Sequence, residues 1–270
     1  MIPFTKAHAC GNDFLIVPED AALSMGDLAS LARRLCARTT GIGADGVAFF
    51  SWAGESSGSI HLRNADGSVA EMSGNGSRCV AAWMVDALNS QPGDSLTIAT
   101  DAGLRVCKID ARDGHSVVVT AGMGVPRFVP HTLKLSDGIE IVGVEISIGN
   151  PHFVILVESG DFSVAARSWT SLGEEICVHR DFSAQTNVEF VRILNEHEIE
   201  IRIFERGVGP TSSSGTGSSA SATAVLALRR CVSPLTIVAP GGAQTVAWSG
   251  PGAELHLTGP AALIARGEAW

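Results

Sequence analysis

Ser73-Gly74-Asn75-Gly76-Ser77 and Ser214-Gly215-Thr216-Gly217-Ser218 are the two stretches that decide the fold, the second lying 141 positions after the first. Each sets two glycines ahead of a run with helical apolar spacing, one predicted over 77–88 and the other over 218–230. A helix start offers backbone N–H groups without intrahelical acceptors and a partial positive charge, so each stretch suits a carboxylate or phosphate. One copy alone reads as an ordinary turn. A second landmark makes the pair informative: Gly11-Asn12 is matched by Gly149-Asn150, 138 positions later and in the same order. Repetition at a nearly constant offset marks an internal duplication, with a boundary expected near residues 110–120.

Around these landmarks, short β-branched or alternating runs predict strands at 47–50, 59–63, 95–99, 117–120, 141–148, 153–157, 187–193, 198–204, 235–238, 245–248, 253–257 and 263–266. A third helix is predicted over 27–36, with Leu28, Leu31, Ala32 and Leu35 on one face. Arg229-Arg230 at the end of the 218–230 run suits the negative end of a helix dipole. The predicted class is α+β: two pseudo-symmetric lobes, each a mixed, mostly antiparallel sheet around a central helix.

A pseudo-two-fold arrangement would place Ser73 and Ser214 on opposite sides of one bound molecule. Inverting a stereocentre needs that arrangement, because a proton leaves one face and another returns to the opposite face. For an amino acid the developing carbanion must also be stabilised, and paired helix starts at its carboxylate would do this without pyridoxal phosphate.

Bulk properties narrow the alternatives. With 19 Lys and Arg against 28 Asp and Glu, the formal charge is -9, which makes a nucleic-acid partner unexpected. No 18-residue apolar run suggests a membrane span, and no secretory signal is read at the N-terminus, so a cytoplasmic protein is expected. The six cysteines are scattered without C-x-x-C or zinc spacing, so reduced thiols and no metal are expected. The glycine stretches lack the lysine of a P-loop and the third glycine of a dinucleotide site.

Several segments then resemble the diaminopimelate epimerase family in order along nearly the whole chain: Phe4-Thr5-Lys6 with Gly11-Asn12-Asp13-Phe14, residues 41–46, residues 64–68 through 71–79, Gly149-Asn150-Pro151-His152, Thr186-Asn187-Val188-Glu189-Phe190, and Glu205-Arg206-Gly207-Val208-Gly209. The resemblance implies an N-terminal lobe of 1–115 completed by a strand near 262–270, and a C-terminal lobe of 116–261. It implies a cofactor-independent homodimer that converts L,L- to meso-diaminopimelate on the route to lysine and peptidoglycan precursors. By position, Asn12, Asn64, Asn150, Asn187 and Arg206 would grip the distal amino-acid group, and Gly74-Asn75 with Gly215-Thr216 would hold the reacting carboxylate. His152 and Glu205 would bond the reacting amine or tune the acid/base pair. Taken singly, Asn12 and Asn150 also read as turn residues, His152 as a satisfied core histidine and Glu205-Arg206 as a surface charge pair.

The family carries cysteine where this chain has Ser73 and Ser214. A thiol near a helix start reaches the thiolate at neutral pH, whereas a serine hydroxyl is a far weaker acid. Four readings stay open: an epimerase whose serines relay protons to His152, Glu205 or water; a single-base isomerase, tautomerase or dehydratase using Glu205, His152 or Asp66; an introduced cysteine-to-serine form; and a ligand-binding protein without turnover.

Overall fold

The computed structural model describes residues 1–70 and 73–270; Glu71 and Met72, which open the 71–79 segment matched above, lie outside the described residues. In chain order the first elements are β1 (Ile2–Ala9), β2 (Asn12–Pro18), α1 (Glu19–Leu23), α2 (Leu28–Cys36), β3 (Gly46–Gly54), β4 (Ser57–Asn64), α3 (Gly74–Leu88), β5 (Ser95–Thr100), β6 (Gly103–Asp113) and β7 (Ser116–Gly124). There follow β8 (Arg127–Lys134), β9 (Glu140–Ser147), β10 (Pro151–Leu156), α4 (Trp169–Cys177), β11 (Asn187–Asn195), β12 (Glu198–Glu205), β13 (Gly209–Thr211), α5 (Gly215–Ala227), β14 (Leu235–Ala239), β15 (Gly242–Ala247) and β16 (Leu255–Ala269). The class is α+β. The chain divides into two compact units, Met1–Gly122 with Thr258–Trp270, and Met123–Leu257.

In the first unit the strands run β1-β2-β3-β4-β5-β6-β7-β16, and β16 pairs back onto β1, so they close into a barrel. β2–β3 and β4–β5 are its parallel pairs, and parallel neighbours require a crossover between them. The first crossover carries α1 and α2, and the second carries α3. Asp27 caps α2 by accepting Ser30 N–H at 2.8 Å, and Leu31, Ala32, Leu35 and Cys36 turn inward against Leu15, Val47 and Phe49. α3 is buried on all sides over most of its length, which is how a helix enclosed by strands must look. Its Cys79, Val80, Ala82, Met84 and Val85 pack against Phe14, Ile60, Leu62, Leu96 and Ile109.

The second unit repeats the plan, with parallel pairs β10–β11 and β12–β14 and crossovers that carry α4 and α5. Its order is β15-β14-β12-β11-β10-β9-β8, with β13 added to β12. α5 is buried from Gly215 through Val225 and is built from small residues. Inside it, Ser219 Oγ donates to Gly215 O and Thr223 Oγ1 to Ser219 O, each at 2.8 Å, so the enclosed hydroxyls bond back one turn.

Both central helices start three residues earlier than apolar spacing indicated, at Gly74 and Gly215, because glycine carries no side chain for a periodicity to register. α5 also ends earlier, at Ala227. Arg229 turns to φ 55°, and Arg230 N–H closes onto Val225 O at 2.8 Å, so both arginines lie beyond the helix. The runs expected at 253–257 and 263–266 are one continuous strand, β16.

Packing is close where β9 meets β10. A Cβ at Gly143 would stand 2.4 Å from the ring of Phe153, a fully buried side chain packed among Leu133, Leu172, Ile176 and Phe190. Gly143→Ala is expected to lower the unfolding free energy by about 1–3 kcal/mol through overpacking. Urea denaturation checks this, and an unchanged midpoint would contradict it.

Candidate active site

The two serine-glycine stretches form the same local structure. Ser73 stands at the N-cap of α3 with φ −139° and ψ 114°, and Ser214 at the N-cap of α5 with φ −140° and ψ 127°. Ser73 Oγ accepts Gly76 N–H at 2.9 Å, and Ser214 Oγ accepts Gly217 N–H at 3.2 Å. Each serine therefore satisfies one of the amides a helix start leaves open. Space at the bonded position is tight: a Cβ there would lie 3.2 Å from Ser73 Oγ in one unit, and 2.9 Å from Glu189 Oε1 and 3.1 Å from Ser214 Cβ in the other.

In the first unit, hydrogen bonds lead from the α3 start outward. Arg78 Nη2 donates to Asn75 Oδ1 at 2.6 Å, Asn75 Nδ2 to Asn12 Oδ1 at 3.1 Å, and Asn12 Nδ2 to Asp45 Oδ2 at 2.7 Å. Arg38 closes the chain on Asp45 Oδ1 at 2.7 Å. Arg78 is fully buried, with no described partner for Nε or Nη1, and burial pushes its pKa down. Asp13 lies alongside. Burial raises its carboxyl, but hydrogen bonds and charge from Lys6 and Arg38 outweigh that and hold it below the usual carboxylate range. Asn64 serves a turn, donating through Nδ2 to Ser68 Oγ at 2.9 Å. Asp66 takes Ser68 N–H in the same turn, and the bond holds its pKa low.

The second unit gathers its candidates at the ends of β10, β11 and β12. Asn150 Nδ2 faces Thr216 Oγ1 at 3.4 Å, and Thr216 faces Ser214 Oγ at 3.4 Å. His152 Nε2 bonds Asn150 Oδ1 at 2.9 Å, and its Nδ1 bonds Glu189 Oε1 at 2.7 Å. His152 pairs in register with Asn187, whose Nδ2 donates to Pro151 O at 3.1 Å and whose Oδ1 accepts Arg206 N–H at 2.9 Å. Arg206 Nη1 donates to Ala184 O at 2.9 Å, and Glu205 ends β12 opposite Gly209.

Sequence reasoning assigned no role to Asp45, Arg78 or Glu189. Glu189 left one readable signal, a carboxylate set among Val188, Phe190 and Val191. The thiols offer no substitute for the serines. Cys79, six residues beyond Ser73, is fully buried and its pKa is driven far up by burial, and Cys107 is pushed up to about 12 for the same reason. Among the described residues neither Ser73 nor Ser214 hydrogen-bonds a carboxylate or an imidazole. Among the described residues no group of three or more His, Cys, Asp or Glu could hold a metal ion.

Solved racemases and epimerases share this fold. A hydroxyproline epimerase from Agrobacterium vitis with bound trans-4-hydroxy-L-proline superposes with TM-score 0.72 at 20% identity, covering 98% of this chain and 90% of that one. A predicted epimerase from Pseudomonas aeruginosa reaches TM-score 0.76 at 13% identity, covering 100% and 99%. The sequence model described as diaminopimelate epimerase matches residues 4–129 and 144–264, and the chain belongs to that family. It is 37% identical to a diaminopimelate epimerase of Corynebacterium glutamicum strain R over 99% of this chain and 98% of that protein. It is 34% identical to that of Moorella thermoacetica over 98% of both.

The lowered pKa of Asp13 has a checkable consequence. A carboxyl held low in the folded state stabilises it above the ordinary carboxylate range, and that contribution is lost as pH falls through the native pKa. Asp13→Asn is expected to flatten the acid limb of the unfolding midpoint below pH of about 4; an equally steep limb in both proteins would contradict the assignment.

Proposed function

We propose that this chain is a cofactor-independent amino-acid epimerase that interconverts L,L- and meso-diaminopimelate by removing and returning a proton at the α-carbon. The observation that carries the reading is the duplicated helix start, one in each unit, capped by serine in nearly the same backbone conformation. The family membership supplies the substrate.

Each start contributes what α-proton chemistry requires. The amides of Gly74 and Asn75, and of Gly215 and Thr216, hold the reacting carboxylate, where helix-end charge stabilises the negative charge that builds up as the proton leaves. Ser73 and Ser214 each accept one glycine N–H and keep their own O–H to donate. Asn12, Asn64, Asn150, Asn187 and Arg206 grip the distal amino-acid end, while His152 and Glu205 bond the amine and tune the proton-carrying groups. The resemblance further supports a cytoplasmic homodimer acting on a small molecule, and the acidic balance of charge argues against a nucleic-acid partner. No described helix is long and apolar enough to cross a membrane.

One observation favours a second reading, a single-base isomerase. His152 and Glu189 form a buried acid/base pair, while among the described residues neither serine hydrogen-bonds a carboxylate or an imidazole.

Incubation in deuterium oxide with L,L- and meso-diaminopimelate, beside Ser73→Cys/Ser214→Cys, separates these readings. The expected result is α-deuteration with inversion by the parent chain and a rate at least about 100-fold higher in the double-cysteine variant. Consumption or rearrangement of substrate without inversion would establish the single-base reading, and no exchange by either protein would overturn diaminopimelate as substrate.

A further inference from the structure

The two units depart from one another beneath their helix starts. Phe14 follows Asn12 by two residues, as His152 follows Asn150. Ala48 on β3 stands opposite Ile16 in register, as Glu189 on β11 stands opposite Val154. The first unit is thus apolar where the second holds a histidine and a carboxylate whose side chains are both 0% exposed.

The hydrogen bonds of that pair restrict where its protons sit. Asn150 Oδ1, an amide oxygen, only accepts, so the 2.9 Å contact requires a proton on His152 Nε2. At the other nitrogen, 2.7 Å from Glu189 Oε1, two states satisfy the geometry: imidazolium with carboxylate, or neutral imidazole with carboxylic acid. Both are net neutral and differ only in the place of one proton along the Nδ1–Oε1 line. The third possibility reverses the Asn150 amide and bares Nε2. It would leave a fully buried carboxylate beside a neutral ring, with its Oε2 lacking any described partner. Burying an uncompensated charge is costly, which disfavours that state. Burial raises the Glu189 carboxyl against the opposing pull of His152.

We propose that Glu189 is a positioning residue: through His152 it fixes the Asn150 amide with its NH2 group toward the first turn of α5, so that this helix start presents a donor to a carboxylate-bearing substrate. The proposal rests on the epimerase reading of the site. It also distinguishes the units, because Asn12 is turned the other way, with Oδ1 toward Asn75 of α3 and Nδ2 toward Asp45.

The test compares Glu189→Gln with Glu189→Met. A glutamine NH2 can donate to Nδ1 and keep the proton on Nε2, whereas methionine leaves the ring free to move its proton to Nδ1 and the Asn150 amide free to reverse. In ¹⁵N-histidine spectra at neutral pH, the parent and Glu189→Gln are expected to show a protonated Nε2 on His152, and Glu189→Met a mixture of tautomers. The KM for diaminopimelate is expected to rise about tenfold in Glu189→Met, equivalent to about 1.4 kcal/mol, with kcat changing less and Glu189→Gln staying near the parent. An unprotonated Nε2 in the parent, or equal losses in both variants, would overturn the proposal. The parent spectrum needs no variant to fold and no substrate. An inert parent with a protonated Nε2 would therefore sink the epimerase reading while leaving the position of the Asn150 amide in place.

Discussion

The hydrogen bond from the glycine amide at the third helical position to the hydroxyl of the capping serine is the constraint on which this structure rests. A helix enclosed by strands cannot leave its first amides to water, so each start must be satisfied by the protein or by a ligand. Ser73 and Ser214 each take one amide, and the glycine that donates it has little room for a side chain. The remaining amides of each start are the ones proposed to meet the substrate carboxylate. The polarity needed to end a buried helix is therefore the same polarity that binds a carboxylate.

That arrangement commits the surrounding residues. Asn12 and Asn150 bridge from strand ends to the second residue of the helix in their respective units, and each is itself tied to a carboxylate, directly to Asp45 or through His152 to Glu189. Hydrogen-bonded chains of this kind lock side-chain orientation, and a buried polar group left without partners costs more than a made bond returns. The duplication has kept this scheme and changed its content. A buried arginine stands in the first turn of α3 where Ser219 stands in α5, and the second unit carries the neutral histidine–glutamate pair. Two starts of similar shape thus differ in charge and in donor direction.

Much of this was legible because it is local. The paired glycine stretches, their order and offset, and the alternation of strands such as β11 and β12 led to the α+β class and to the family. What escaped has physical causes. β6 hides its pattern by exposing Leu104 and Val106 while burying Arg105, whose guanidinium donates to the carbonyls of Leu104 and Ala102. β8 contains Pro130, a residue that argues against a strand except at an edge, and β8 lies at the end of its strand order. Glu189 meets His152 and Asp45 meets Asn12 across 37 and 33 positions of sequence, a distance no local pattern spans.

The central claim is that both helix starts engage a diaminopimelate molecule through their backbone amides. The most direct measurement is a titration of the ¹⁵N-labelled chain with meso-diaminopimelate, following the amide signals of Gly74 and Asn75 beside those of Gly215 and Thr216. The account predicts that both sets move together and saturate at one ligand per chain. Movement of one set alone, or of neither, would contradict it.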